Sequence, residues 1–112
     1  FSTVAVQTEF PFHSLVSTSK GAIEGLTRSL AAELSPKIRV NCIAPSITNT
    51  PLASKILNSK ERIEASAQKH PLKKVGSPEE VADAAKFLLT DSSNWITGQI
   101  LAIDGGISSI KI

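Results

Sequence analysis

Short β-type runs alternate with segments of helical period along this chain, and that alternation leaves few folds open to it. "STVAV" is rich in β-branched residues and predicts a short strand. "QTEFPFH" predicts a loop interrupted by Pro11. From about Ser17 to Leu34, the residues Ile23, Leu26, Leu30 and Leu34 recur at helical spacing and predict a helix with one apolar stripe. Ala22, Ala31 and Ala32 keep that helix slim, and Gly21 and Gly25 each cost it about 1 kcal/mol relative to alanine, so close packing is expected to compensate. Pro36 stops the helix. "KIRVNCIAP" then predicts a strand, with Ile38, Val40 and Cys42 alternating with Arg39, Asn41 and Ile43 up to Pro45.

A turn-rich stretch, "SITNTP", leads into a basic, weakly amphipathic segment from Leu52 to Lys69. The next helix is announced by "GSPEEVADAAKFLL": Ser77 as N-cap, Pro78 at the first helical position, Glu80 completing a capping box, and Val81, Ala84, Ala85 and Leu88 as the buried face. "SSNWITG" predicts a turn, and "QILAIDGG" a last short strand. Strand, helix, strand, excursion, helix, strand is the order of an α/β protein with a parallel sheet and right-handed crossovers. Such sheets bind ligands beyond the carboxyl ends of their strands. The ends in question are Thr3 to Val6, Ala44 to Thr50, and Asp104 to Gly106. Near them lie three polar groups, expected to rim one crevice: His13, Ser14, Ser17 and Lys20; the stretch "APSITNTP"; and the hydroxyl pair Ser2 and Thr3.

With 112 residues, 41% of them apolar, the chain has material for one small domain and one core. It contains no methionine and opens abruptly on an apolar run, which predicts part of a longer protein. A single cysteine, Cys42, excludes an internal disulfide, and its apolar surroundings predict a small buried hydrophobe. No apolar run approaches the roughly 20 residues that cross a bilayer, so no membrane partner is expected, and the lone cysteine makes the cytoplasm the expected location. Residues 51–76 carry six cations against two carboxylates, whereas the whole chain is only +2. One tryptophan and no tyrosine give this segment no aromatic interleaving, which argues against a nucleic-acid partner.

The segments "SKGAIEGLTRSLAAEL", "IRVNCIAPS" and "VGSPEEVADAAKFLLTDSSNWITGQILAIDGG", in that order, resemble the C-terminal half of the short-chain dehydrogenase/reductase family. The resemblance covers nearly all of the chain. It implies residues 1–112 as the C-terminal part of one Rossmann-like, doubly wound domain. It also implies hydride transfer between NAD or NADP and a small carbonyl or alcohol, and a homodimer or homotetramer. No metal is expected.

In that family a Tyr-x-x-x-Lys pair moves the proton, and a serine on the preceding strand polarises the carbonyl. Lys20 matches the lysine, which also binds the nicotinamide ribose; Thr3 fits the serine without a gap and Ser2 with a one-residue shift. The tyrosine position is Val16, which transfers no proton. His13 is the best chemical substitute, because imidazole titrates near neutrality. The family's Pro-Gly-x-x-x-Thr stretch along the cofactor corresponds to Pro45, Ser46, Ile47, Thr48, Asn49 and Thr50, with Ser46 in place of glycine and the Ile47 main chain set against the carboxamide. Residues 51–76 correspond to the family's substrate lid, and their basic character suits an anionic or acyl-carrier-linked substrate. The terminal glycine pair corresponds to a packing and subunit-contact element. A second function class, a silent relative serving binding or assembly, draws on Val16 and on Glu9, which stands where the loop commonly has glycine.

Overall fold

Two apolar runs pair as the central element of the chain, whose computed structural model describes residues 1–8 and 10–111. The expectation placed on Glu9 lies outside the described residues. Strand β1, Cys42–Pro45, runs parallel to β2, Ile100–Ile103, with Cys42 opposite Ile100 and Pro45 opposite Ile103. Cys42, Ile43 and Ala44 are buried, and the thiol is among them as expected of a small hydrophobe. Parallel neighbours need a crossover, and it contains helices α2, Lys60–Gln68, and α3, Pro78–Leu89. The α/β reading therefore holds.

Helix α3 forms as its sequence demands. Ser77 Oγ accepts from Glu80 N–H at 3.3 Å, Glu80 Oε2 accepts from Ser77 N–H at 2.9 Å, and Pro78 opens the first turn. Its Val81, Ala84, Ala85 and Leu88 face inward but are only half-buried.

The β1 ladder begins at Cys42 rather than at Ile38. Arg39, Val40 and Asn41 spend their hydrogen bonds on the loop before β2 instead. Val40 N–H donates to Thr97 Oγ1 at 3.1 Å, Asn41 Nδ2 to Ile96 O at 2.9 Å, and Arg39 to Ile96 O at 3.2 Å.

"STVAV" is not a strand. Ser2 N–H donates to Ile43 O at 2.8 Å, and the chain then closes into a 3-10 turn over Val4–Val6. The Thr3 hydroxyl accepts from Ala5 N–H at 3.3 Å, offering the backbone a local partner in place of a ladder.

Helix α1 spans Ser14–Leu34, one turn earlier than its apolar period indicates. Phe12, at φ 64°, turns the chain into it. Its apolar stripe is only partly covered: Ile23 and Leu30 are half-buried, Leu26 is 56% exposed and Leu34 37%, while Glu24, Thr27 and Ala31 are buried. Hydrogen bonds decide the orientation, because Ser17 Oγ donates to Ala5 O and Ser2 Oγ to Glu24 Oε1, both at 2.7 Å. The close approach expected at Gly25 is not made among the described residues, where a Cβ meets nothing within 4 Å.

Candidate functional site

The loop after β1 is pinned at several points. Ser46 N–H donates to Ile103 O at 3.1 Å, and Asn49 N–H to Gly76 O at 2.9 Å, while Gly76 N–H returns to Ile47 O at 3.2 Å. Thr50 Oγ1 accepts from Ala53 N–H at 3.4 Å and caps the short turn Pro51–Ala53. The N–H of Ile47 makes no hydrogen bond among the described residues. A cleft of about 280 Å³ opens beside this loop, lined by Ser46, Ile47, His70, Asp104 and Gly105 among others.

His70 is the residue that sequence reading missed. It is 3% exposed, with Nδ1 at 2.8 Å from Ser66 O and Nε2 at 2.8 Å from Ser46 Oγ. A carbonyl only accepts, so Nδ1 carries a proton, and Nε2 is left to share a hydrogen bond with the Ser46 hydroxyl. Nothing in "QKHPLKK" signals this, because the partner is 24 residues away.

Asp104 closes the end of β2. Burial pushes its carboxyl up, but the Ser108 hydroxyl, the Gly106 and Ser108 N–H groups and the nearby His70 outweigh that and hold it below the ordinary range. At the rim, Lys74 pairs with Glu80; that hydrogen bond, then the Ser77 N–H, lowers the Glu80 carboxyl.

The group of His13, Ser14, Ser17 and Lys20 lies at the start of α1. An open recess of about 430 Å³ is bounded by Ala5, Thr8, Phe10, Phe12, His13 and Ser17 among others. Thr8 Oγ1 is buried in its wall with no partner among the described residues. His13 Nδ1 lies 2.8 Å from Pro11 O, which fixes the proton there and leaves Nε2 as the accepting nitrogen of the neutral ring. Ser14 is exposed. Lys20 Nζ donates to Phe1 O at 3.2 Å, and Val16, one turn before it, is 44% exposed.

The cleft and the recess share no lining residue. Ser2 is buried against Glu24, whereas Thr3 Oγ1 donates to Pro45 O at 3.4 Å and so links the Ser2–Val6 segment to the loop after β1. Among the described residues no helix is long and apolar enough to cross a membrane.

Residues 1–108 match the family described as enoyl-(acyl carrier protein) reductase. A tropinone reductase homolog of Arabidopsis thaliana is 42% identical over 108 residues, covering 96% of this chain and 41% of that protein. The solved short-chain type dehydrogenase/reductase from Mycobacterium ulcerans superposes with a TM-score of 0.87 at 33% identity, covering 96% of this chain and 39% of that one. A 4-hydroxyisoleucine dehydrogenase complexed with NADH superposes at 0.89 with 29% identity, over 98% of this chain and 46% of that one. The chain spans less than half the length of each of these proteins.

Proposed function

The chain belongs to the short-chain dehydrogenase/reductase family, and from that premise we propose that the intact protein is an NAD- or NADP-dependent oxidoreductase interconverting a small carbonyl and its alcohol. In this reading residues 1–112 are the C-terminal part of one Rossmann-like domain and 51–76 its substrate lid. The observation that carries it is the unspent N–H of Ile47, at the start of a loop held by Gly76 and β2. That donor suits the carboxamide of a nicotinamide, the group that supplies or takes the hydride when bound. Pro45 and Ser46 set the loop's course, Thr50 ends it, and Lys20 binds the ribose. Thr3 orients the carbonyl oxygen. With Val16 unable to carry a proton, His13 gives one to the nascent alkoxide through Nε2 when its ring is charged.

Titration of the intact protein with NADH and NADPH, followed by dinucleotide fluorescence, tests this reading. Saturable binding of either supports it, and no binding of either sinks it. Lys20→Ala should then weaken binding and abolish turnover.

A second reading, a silent relative that assembles or binds without catalysis, is favoured by Val16 and by the tie of Lys20 to Phe1 O. Cofactor binding with no turnover on any carbonyl would select it. Under either reading the exposed Leu26 and Leu34 belong to a homodimer or homotetramer contact. Leu26→Glu should lower the sedimentation coefficient of the intact protein; an unchanged value excludes that contact.

A further inference from the structure

The contact between His70 and Ser46 takes no part in the chemistry described above, yet it joins the end of the lid to the loop after β1. Four observations define it. His70 is almost wholly buried, so its ring is not a solvated accessory. Its Nδ1–H is committed to Ser66 O, which orients the ring and turns Nε2 toward Ser46 Oγ at 2.8 Å. Ser46 is not among the non-glycine residues with positive φ, so the serine sits on this backbone without strain and glycine's conformational freedom is not required there. What distinguishes serine from glycine at this position is therefore only its side chain, and His70 holds that side chain.

We infer that His70 is a positioning residue for the loop after β1: it fixes the Ser46 hydroxyl, and with it the rotamer of Ser46, in the cleft beside Asp104 and Gly105, so that the loop can lie against a nicotinamide dinucleotide although it lacks the glycine. The inference rests on the cofactor reading above. The backbone pairing of Ile47 and Asn49 with Gly76 anchors the loop further on, but nothing else in that pairing holds the Ser46 side chain. Without the imidazole the side chain samples other rotamers, among them those that enter the cofactor's path, and a half-buried hydroxyl loses its partner.

The test is a dinucleotide titration of the intact protein, with NADH and NADPH as probes. His70→Ala should raise Kd by about fivefold, the size of one lost hydrogen bond. Ser46→Gly in the His70→Ala background should restore wild-type affinity to within about twofold, because glycine has no side chain to position. A merely structural histidine predicts no such rescue. Ser46→Val keeps the Cβ bulk and removes the hydroxyl, so it should weaken binding as His70→Ala does; it serves as the independent arm should His70→Ala not fold. Wild-type binding with unchanged Kd in His70→Ala or in Ser46→Val overturns the inference, as does weakened binding that Ser46→Gly fails to restore. No dinucleotide binding by the wild type overturns the cofactor reading itself, and the inference with it.

Discussion

Ser2 Oγ donates to Glu24 Oε1 at 2.7 Å, with both residues 4% exposed, so a carboxylate inside the chain depends on one hydroxyl from the segment before the 3-10 turn. The second Glu24 oxygen lies 3.9 Å from the largely exposed Arg28 guanidinium, a contact of modest strength. Ser2→Ala should therefore destabilise the intact protein by about 1.5–3 kcal/mol, the range for a hydrogen bond to a charged buried group. Thr3→Ala, by contrast, should reduce turnover with a much smaller effect on stability, since Thr3 is half-exposed and faces Pro45. Urea denaturation and steady-state rates on the same two variants separate the roles. Equal stability losses would assign both hydroxyls to packing.

Lys73 occupies φ 53° in the turn between His70 and Gly76, a conformation that costs a non-glycine residue about 1–2 kcal/mol. The exposed bond from its Nζ to Gln68 O at 3.0 Å returns little of that. Lys73→Gly should stabilise the protein by about 0.5–1 kcal/mol after glycine's larger unfolded-state entropy is counted. Lys73→Val should destabilise it, because a β-branched residue suits this region least. Thermal unfolding of the two variants reads both signs. If Lys73→Gly lowers Tm, the lysine side chain contributes more than its backbone costs.

How far local signals reach explains which parts of this fold were legible. The α3 N-terminus was readable because cap, proline and glutamate fall within four residues and act on one another. β1 and β2 were readable as apolar runs closed by proline and by a glycine pair. The "STVAV" segment was misread because β-propensity does not register the Thr3 hydroxyl that captures Ala5 N–H. The inward face of α1 was only partly legible for a related reason: Glu24 gains a buried partner only when Ser2, 22 residues earlier, is brought alongside. In the candidate site, Lys20 and the loop after Pro45 were visible as motif matches. His70 was not, because its partner is in reach only after the end of α2 meets that loop.

Asp104 gives a pH dependence of definite sign. Its carboxyl is held below the ordinary value near 3.9 by the Ser108 hydroxyl and the Gly106 and Ser108 N–H groups, against the opposing effect of burial. The native state thus prefers the charged form more than the unfolded chain does. The resulting stability is fully present above the ordinary carboxylate value and is lost as pH falls through the lowered native one. Asp104→Asn should cost about 1 kcal/mol at neutral pH, comparable to a lost cap. The gap between wild type and variant should hold steady from neutrality to about pH 5 and shrink below about pH 4. Denaturant midpoints across that range measure it; a gap that widens on acidification would reverse the assignment.

Val16 lies one helical turn before Lys20 on α1 and is 44% exposed, so a larger side chain at that position has solvent to occupy and no core to displace. Val16→Tyr places a phenol beside an ammonium, and an adjacent positive charge lowers a phenol from its ordinary value near 10. If the site binds dinucleotide and lacks only an efficient proton carrier, turnover on a carbonyl substrate should rise by about 10²-fold or more, the usual contribution of general acid–base catalysis. Kd for the dinucleotide should be unchanged. The gain should survive His13→Ala, since the phenol replaces the imidazole rather than acting through it. In the wild type, His13→Ala should remove whatever turnover exists. A Val16→Tyr variant that binds cofactor as before yet gains no rate would mean that this helix face does not meet the substrate, and the silent-relative reading would then stand.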